Sequence, residues 1–134
     1  MEPIIFEPIG VIHSPFKNTD EIPRQSIYAD KTRAFIEIKE DLQEGLYTLS
    51  EFPYIIILFY FHQAKVCTLQ QRSRHDQNLR GVFATRSPRR PNPIGLTIVK
   101  LIEVNGKRLE IEGIDMLDGT PVLDIKPYSA GLNP

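Results

Sequence analysis

The sequence has few of the features that mark disulfide-rich, secreted or membrane proteins. It holds one cysteine, Cys67, in 134 residues, so no internal disulfide is possible and a reducing compartment is favoured. Residues 1–20 lack the basic start and apolar core of a signal peptide. The longest apolar run, Tyr54 to Phe61, is too short to span a membrane and suits a strand buried on both faces. We therefore expect a cytoplasmic protein without a membrane partner.

Common catalytic signatures are also absent. The chain has no G-x-G-x-x-G and no P-loop, so neither standard nucleotide-binding loop is indicated. It has no G-x-S-x-G nucleophile elbow. Its three histidines do not stand at metal-ligand spacing, and the single cysteine has no partner. We therefore expect no metal site.

Short strands dominate what is present. Arg33 to Lys39 alternates, with Ala34, Ile36 and Ile38 on one face, which predicts a half-buried strand. Ile94 to Val104 and Gly81 to Thr85 also have strand-like composition. The best helical candidate is Asp41 to Leu49, with Asp41 as N-cap.

Two turn signals organise the C-terminal half. Asn105-Gly106 predicts a type I′ hairpin turn, and Asp118-Gly119 predicts a second one, so that the strands follow one another as a meander. Many short strands separated by turns indicate an all-β barrel or a strongly bent sheet. We predict a mainly β, single-domain barrel over residues 1–134, built of short, mostly antiparallel strands with at most one or two short helices.

A stiff basic segment is the most informative motif. Arg86 to Pro93 contains three prolines in six residues, which fix the backbone, together with Arg86, Arg89 and Arg90. From Lys65 to Pro91 the net charge is +6, although the whole chain carries −1. Arginine on rigid backbone suits a small anionic ligand or RNA phosphate, because its planar fork matches those groups. The alternative is a structural corner with solvated arginines.

Polar groups cluster in further places. His62 and Gln63 follow the apolar strand, where polar groups often face a ligand, although a histidine there is more often structural. Asp118-Gly119-Thr120-Pro121 either presents backbone groups and a carboxylate to a ligand or is a plain turn. Asp124, Lys126 and Tyr128 share one strand face, so they form either a proton-handling group or a surface salt bridge beside a packed tyrosine.

The chain resembles the TrmO (TsaA-like, formerly YaeB) family of tRNA methyltransferases, and the matching segments run in family order along almost its whole length. The segments that carry the resemblance are Ile9–Pro15, Pro23–Gln25, Leu58–Gln63, Gly81–Ser87, Arg90–Gly95, Leu117–Val122 and Asp124–Tyr128. Longer members carry an additional C-terminal domain, and we expect a single TsaA-like domain without that extension here.

The resemblance implies a β-barrel enzyme that uses S-adenosylmethionine. It further implies a homodimer with the cofactor site near the subunit interface. The expected reaction is methylation of the exocyclic N6 nitrogen of threonylcarbamoyl-adenosine beside the anticodon of tRNA. The cofactor contacts implied by the matching positions are Gln25, His62, Gln63, Arg86, Leu96, Asp118, Gly119, Thr120 and Pro121.

Other roles complete the hypothesis. Asn92 is a candidate for accepting a hydrogen bond from the target amine, by analogy with the Asn-Pro-Pro-aromatic loop of some adenine methyltransferases on another fold; alternatively it stabilises its own turn. The candidate catalytic residues are Asn92, Asp124, Lys126 and Tyr128. The candidate RNA-phosphate contacts are Arg72, Arg74, Arg80, Arg89 and Arg90. The alternatives are a non-catalytic module that senses S-adenosylmethionine or a related nucleotide, and an RNA-binding β-barrel without a small ligand.

Overall fold

Six antiparallel strands close into a barrel in the computed structural model, which describes residues 1–18, 32–73 and 75–131. The strands are β1 Gly10–His13, β2 Arg33–Ile38, β3 Tyr54–Tyr60, β4 Gln70–Arg72, β5 Leu79–Gly81, β6 Ile94–Asn105, β7 Arg108–Glu112 and β8 Pro121–Pro127. The barrel order is β1-β2-β7-β6-β3-β8, and β8 pairs with β1 to complete the ring. The remaining two strands, β4 and β5, form a separate hairpin. The mainly β barrel predicted from the sequence is confirmed.

Helical structure in the described residues is limited to three short 3₁₀ segments, Glu40–Leu46, Leu49–Glu51 and Val82–Ala84. The first segment lies where a helix was predicted, but the prediction of Asp41 as its N-cap is wrong. Lys39 occupies the capping position without a side-chain cap, and Asp41 lies inside the first turn. There its negative charge is favourable because it faces the positive end of the peptide dipoles.

The strand predicted from Gly81 to Thr85 is shorter and lies earlier in the chain. Extended pairing ends at Gly81, after which the backbone turns into the 3₁₀ segment. Both the N–H and the side-chain hydroxyl of Thr85 donate to the Val82 carbonyl, at 3.1 and 2.8 Å. This local side-chain bond stabilises a turn where the apolar composition alone predicted a strand.

Alternating side chains fill the barrel. Ala34, Ile36 and Ile38 of β2 point inward and are buried, as the alternation predicted. Because directly paired residues of antiparallel strands share a face, the inward rows of neighbouring strands meet. The fully buried aliphatic side chains include Ile12, Ile36, Ile55, Ile57, Val99, Leu109, Ile111, Ile114 and Val122.

Strand β3 departs from the prediction that both of its faces are buried. Ile55, Ile57 and Phe59 point into the barrel and are buried, and Ile56 on the outer face is covered as well. Tyr54 and Tyr60, however, are 46 and 40 % exposed on that outer face. The apolar run therefore reflects a barrel wall whose outside is also apolar.

Of the two hairpin turns predicted from the sequence, the one at Asn105-Gly106 joins paired strands and the one at Asp118-Gly119 does not. β6 and β7 form the predicted hairpin, but its two-residue loop is Gly106-Lys107, because Asn105 still pairs with Arg108. Positive φ occurs at Gly106 and not at Asn105 or Lys107, which is the arrangement of a type II′ turn rather than type I′. The turn at Gly119 does not join a hairpin, since β7 pairs with β2 and β8 pairs with β1 and β3.

Candidate functional site at one end of the barrel

Three long connections meet at one end of the barrel, which we call the loop end. They join β1 to β2 (residues 14–32), β3 to β6 (residues 61–93) and β7 to β8 (residues 113–120). Since every neighbouring strand pair is antiparallel, these three connections all leave from the same rim. The described candidate residues of the 61–93 connection and of the 118–120 turn therefore lie at this end of the fold. Gln25 and Arg74, however, lie outside the described residues.

The proline-rich loop, residues 86–93, is held by its own polar groups. Arg90 turns inward, and its Nη1 donates to the carbonyls of Thr85 and Ser87 at 3.0 and 3.1 Å. The Arg89 N–H donates to the Ser87 hydroxyl at 3.1 Å. Because Arg90 Nη1 donates to two carbonyls of its own loop, this nitrogen is not available for phosphate.

Arg86 and Arg89 behave differently from Arg90. Both are exposed, and neither guanidinium bonds to another group in the part of the chain that the structure describes. Gln71 fixes the loop from outside, because its side-chain amide donates to the carbonyls of Thr68 and Arg89 at 2.9 and 2.8 Å. The loop thus presents, on a braced backbone, two guanidinium groups that have no partner within residues 1–18, 32–73 and 75–131.

The hairpin of β4 and β5 uses two of its candidate arginines internally. Arg72 Nη1 donates to the Gln77 carbonyl at 3.0 Å, and Arg80 forms an ion pair with Asp76 at 2.9 Å. The Asn78 N–H, followed by Arg80, holds the pKa of the Asp76 carboxyl below its usual value. These contacts shape the tip of the hairpin and leave Arg72 and Arg80 partly committed.

His62 and Gln63 occupy the centre of a turn directly after β3. The Ala64 N–H donates to the Phe61 carbonyl at 3.0 Å across them, and the Phe61 N–H donates to the Pro93 carbonyl at 2.8 Å. This second bond places the turn beside Asn92, which precedes Pro93 in the proline-rich loop. The turn that holds His62 and Gln63 therefore lies next to the proline-rich loop at Asn92 and Pro93.

The predicted turn at Asp118 and Gly119 forms, but as a type II turn. The Thr120 N–H donates to the Leu117 carbonyl at 3.2 Å, and Gly119 has a φ of +83°, which glycine adopts without strain. Thr120 is buried, and its hydroxyl also donates to the Leu117 carbonyl, at 2.7 Å. The carboxylate of Asp118 accepts from the Ser14 N–H at 3.0 Å and from Lys17 Nζ at 2.9 Å.

Leu96, Asp124 and Lys126 lie on the outer wall of the barrel. Leu58 is paired with Leu96 on one side and with Asp124 on the other, so these three residues form one row across β6, β3 and β8. A bulge at Leu123 sets this arrangement, because Phe59 pairs with Val122 and Leu58 with Asp124. The bulge turns Val122 inward and Asp124 outward.

The three residues predicted to share a proton-handling face are only partly brought together. Lys126 Nζ forms an ion pair with Asp124 at 3.0 Å, on the same face as predicted. Tyr128 follows the end of β8, and its N–H donates to the carbonyl of Tyr54, the first residue of β3. Tyr128 is thus at the opposite end of the barrel from Asn92, about 20 Å along the strand from Val122.

Three residues near the site were not singled out from the sequence. Ser14 and Lys17 hold Asp118, although Ser14 lay inside a segment that carried the family resemblance. Phe83, between the β4–β5 hairpin and the proline-rich loop, is 80 % exposed. The sequence does carry a signal for Phe83, because it is an aromatic residue close to arginines in a stiff segment. Exposed aromatic side chains beside arginine are typical of contacts with single-stranded RNA.

A separate cleft lies on the outer wall formed by β2, β7 and β6. It encloses about 350 Å³ and is lined by charged side chains of both signs around Phe35, over whose ring the Arg108 guanidinium carbon lies at 3.5 Å. None of the candidate site residues lines it. No group of three or more metal-ligating side chains occurs within residues 1–18, 32–73 and 75–131. Among the same residues, no helix is long and apolar enough to cross a membrane.

The fold and the site together define a closed β-barrel whose candidate ligand site is built from the loops at one end and from the adjoining outer wall. Residues 11–133 match the family model described as the tRNA-methyltransferase O N-terminal domain. The chain belongs to this family, which confirms the resemblance found in the sequence.

Relatives and solved structures agree with this assignment. A probable S-adenosyl-L-methionine-binding protein from Pyrococcus abyssi is 46 % identical over 93 % of this chain and 68 % of its own length. A tRNA (adenine(37)-N6)-methyltransferase from Mus musculus is 43 % identical, with 95 % of this chain and 31 % of its own length covered. The crystal structure of TrmO from Pseudomonas aeruginosa matches with a TM-score of 0.83 and 40 % identity, covering 98 % of this chain and 59 % of that one. The chain thus spans less than two thirds of the last two proteins.

Proposed function

We propose that this protein binds S-adenosylmethionine at the loop end and methylates the exocyclic N6 nitrogen of threonylcarbamoyl-adenosine beside the anticodon of tRNA. The observation that carries the proposal is the Arg86 guanidinium, which has no partner among the described residues and lies on a braced loop at the same end as His62, Asn92 and the turn at Gly119. Family membership and the names of the relatives from Pyrococcus abyssi and Mus musculus support it.

The groups at the loop end fit this cofactor chemically. S-adenosylmethionine supplies an electrophilic methyl group on a sulfonium, and it carries a carboxylate and an ammonium at its amino-acid end. Arg86 offers paired donors for a carboxylate. The carbonyls of Asp118 and Gly119 accept no hydrogen bond within the described part of the chain, so they are available to a positively charged group. The half-buried His62 and its neighbour Gln63 provide polar edges for the adenine.

Asn92 is the residue that we propose to hold the target amine. Its backbone carbonyl accepts from the Ile94 N–H at 2.7 Å, which fixes the position of the residue beside Pro93. Its exposed side-chain amide has no partner among the residues that the structure describes. The N6 nitrogen of threonylcarbamoyl-adenosine carries a single hydrogen, and the Asn92 amide oxygen accepts a hydrogen bond from this N–H and so orients the nitrogen towards the methyl group, which is catalysis by alignment. The N6 proton would pass to water when the methyl group is transferred.

The tRNA contact is proposed for the basic loop that surrounds this site. Arg89 is exposed and has no partner within the described residues, and Phe83 is exposed between it and the hairpin. Reaching the base requires that it leave the anticodon-loop stack, as in other base-modifying enzymes. The Arg89 guanidinium binds phosphate while the exposed Phe83 ring stacks on an unstacked base.

The proposed assembly is a homodimer through the outer wall of β3, β6 and β8. This wall exposes a contiguous set of large apolar side chains, and such a patch is typical of interaction surfaces. Its exposed members are Tyr54, Tyr60, Ile94, Leu96 and Ile98. Because Leu96, Asp124 and Lys126 share this wall, a second copy would enclose the cofactor beside them and would bring its own Lys126 and Tyr128 towards the site.

A non-catalytic S-adenosylmethionine-binding module is the second candidate function. The ion pair of Asp124 with Lys126, and the position of Tyr128 at the far end of the barrel, favour it, because neither arrangement provides a free proton acceptor at Asn92 in one copy. An S-adenosyl-L-methionine-binding protein from Archaeoglobus fulgidus, 42 % identical, is covered over 90 % of its length by this chain. Cofactor binding without methylation would favour this second function.

Calorimetric titration with S-adenosylmethionine tests the cofactor site first. We expect saturable binding by the natural protein, a loss of affinity of at least tenfold in Arg86→Ala, partial recovery in Arg86→Lys, and natural affinity in the control Arg89→Ala. Absence of binding at millimolar ligand would refute both the methyltransferase and the binding-module proposals and leave an RNA-binding barrel.

Methylation of tRNA that already carries threonylcarbamoyl-adenosine tests the reaction. Asn92→Ala is expected to lower the methylation rate by about 100-fold or more while cofactor affinity stays within twofold, since a group that acts in the transition state affects turnover rather than binding. An equal loss of rate and cofactor affinity would contradict the role given to Asn92.

A further inference from the structure

The turn at Asp118 is attached to the end of β1 and to the segment that follows it, by bonds between residues more than 100 positions apart in the sequence. The Asp118 N–H donates to the Phe16 carbonyl at 2.7 Å, and the Gly119 N–H donates to the Ile12 carbonyl at 2.8 Å. The Ser14 hydroxyl donates to the Met116 carbonyl at 2.7 Å, with Ser14 buried. The position of the turn is therefore determined by residues 12–17 rather than by the turn alone.

The carboxylate of Asp118 is occupied on both oxygens by the same segment. Oδ1 accepts from the Ser14 N–H at 3.0 Å and Oδ2 from Lys17 Nζ at 2.9 Å. His13 Nδ1 also lies 4.0 Å from Oδ1. Because the bond from Lys17, and then that from Ser14, favour the ionised form, the pKa of Asp118 is lowered.

These contacts change what the turn offers to a ligand. The N–H groups of Asp118, Gly119 and Thr120 all donate within the protein, to Phe16, Ile12 and Leu117 respectively. With the carboxylate also engaged, the turn presents its carbonyl oxygens at Asp118 and Gly119. A carbonyl pair is a poor partner for an anion and a suitable one for an ammonium or sulfonium group.

We propose that Ser14 and Lys17 are positioning residues of the cofactor site. Lys17 acts through the Asp118 carboxylate, and Ser14 acts through its N–H to that carboxylate and through its hydroxyl to the Met116 carbonyl. Together they fix the turn whose carbonyls face the cofactor, and the Asp118 carboxylate does not contact the cofactor itself. This proposal rests on the proposed function. It assigns a role to two residues that lie far before His62, the first candidate site residue that the structure describes. It also revises the role expected for Asp118 from ligand to positioning residue.

A double-mutant cycle between Lys17 and Asp118 distinguishes the two roles. If Lys17 acts through Asp118, Lys17→Met and Asp118→Asn each weaken S-adenosylmethionine binding by a similar factor, about threefold to tenfold, and the double variant is no worse than either single one. Lys17→Arg is expected to restore natural affinity, because it keeps the charge on Oδ2. Ser14→Ala, which leaves the Met116 carbonyl without its donor, is expected to weaken binding similarly.

The control for the cycle is Arg33→Met. Arg33 forms ion pairs with Glu110 and Glu112, both at 3.3 Å, and bonds to no residue of the turn, so its replacement measures the general effect of losing ion pairs away from the site. We expect unchanged cofactor affinity in this variant. Melting temperatures recorded without ligand are expected to fall no further in Lys17→Met than in Arg33→Met, which separates a local effect on the site from loss of fold.

Three results would overturn the proposal. A large loss in Asp118→Asn with natural affinity in Lys17→Met would mean that Asp118 contacts the cofactor directly. Additive losses in the double variant would mean that the two residues act independently. Absence of binding by the natural protein would refute the proposed function and this inference with it, and that result is recognised before any variant is measured.

Discussion

The Phe59 ring lies directly against Gly95, its paired residue on the neighbouring strand. A Cβ built on Gly95 would overlap the ring, with Phe59 Cε2 only 2.6 Å away. The same ring packs edge-on against Phe61, with 5.0 Å between centroids, just before the turn that contains His62. Gly95 therefore provides the space that allows an aromatic pair to fill the loop end of the barrel.

Gly95→Ala is expected to destabilise the protein by about 1–3 kcal/mol, because the Phe59 ring must leave its position. Urea unfolding followed by circular dichroism measures this change. The control is Gly81→Ala, since nothing lies within 4 Å of a Cβ at Gly81 and its φ is −65°. Adding Phe59→Leu to Gly95→Ala is expected to recover part of the loss; a double variant less stable than Gly95→Ala would contradict the steric explanation.

Arg90 and Arg89 are expected to differ in their contributions to stability. Arg90→Ala removes the donor to the carbonyls of Thr85 and Ser87, and we expect a loss of about 1–2 kcal/mol in the free energy of unfolding. Arg89→Ala removes a side chain without a partner among the described residues, so a change within about 0.5 kcal/mol is expected. Equal effects in urea unfolding would show that Arg90 does not brace the loop.

The contrast between these arginines shows what the sequence could and could not indicate. Prolines at fixed positions predicted a stiff loop, because proline restricts φ wherever it stands. Which of three arginines turns inward depends on the path of the loop, which places two carbonyls within reach of Arg90 alone. The amino-acid composition of the loop does not determine the path of its backbone.

The same distinction applies to the barrel. Alternation in β2 predicted its buried face, because a regular strand repeats every two residues. In β8 the bulge at Leu123 breaks that repeat, so Val122 and Asp124 point to opposite sides despite their spacing. The bonds from Ser14 and Lys17 to Asp118 span more than 100 positions, and one sequence carries no pattern that pairs such distant residues.

The stabilising effect of Asp118 is expected to depend on pH. Its pKa is lowered from 3.8, chiefly by Lys17, so the folded state favours the ionised carboxylate. The contribution is therefore present above the unfolded value and is lost as the pH falls through the lower, folded value. Asp118→Asn should reduce the melting temperature at pH 7, and the difference from the natural protein should shrink below about pH 4. A difference that stays constant from pH 7 to pH 3 would contradict the ion pair with Lys17.

Salt dependence of tRNA binding is expected to separate committed from uncommitted arginines. Arg89→Gln should reduce the slope of log K against log salt by about one, because a free guanidinium that neutralises a phosphate releases one counterion. Arg80→Gln should have a smaller effect, since Arg80 is already paired with Asp76 at 2.9 Å. Fluorescence anisotropy with an anticodon stem-loop between 50 and 300 mM salt measures both slopes. Identical slopes for Arg89→Gln and the natural protein would show that Arg89 does not contact an RNA phosphate.

The outer wall of β3 and β6 provides the last test, because it bears on whether the site is complete in one copy. Ile98 is 46 % exposed at the centre of the apolar wall and pairs with the covered Ile56. Ile98→Glu introduces a charge that two copies would bury together, so we expect a dimer to become monomeric in light scattering coupled to size exclusion. Leu42→Glu, at a similarly exposed position on the 3₁₀ segment Glu40–Leu46, should leave the oligomeric state unchanged.

The same Ile98→Glu variant tests whether the second copy completes the cofactor site. If it does, S-adenosylmethionine affinity falls together with dimerisation. A monomeric Ile98→Glu variant with natural affinity would place the whole cofactor site within one chain, and Tyr128 would then have no part in it.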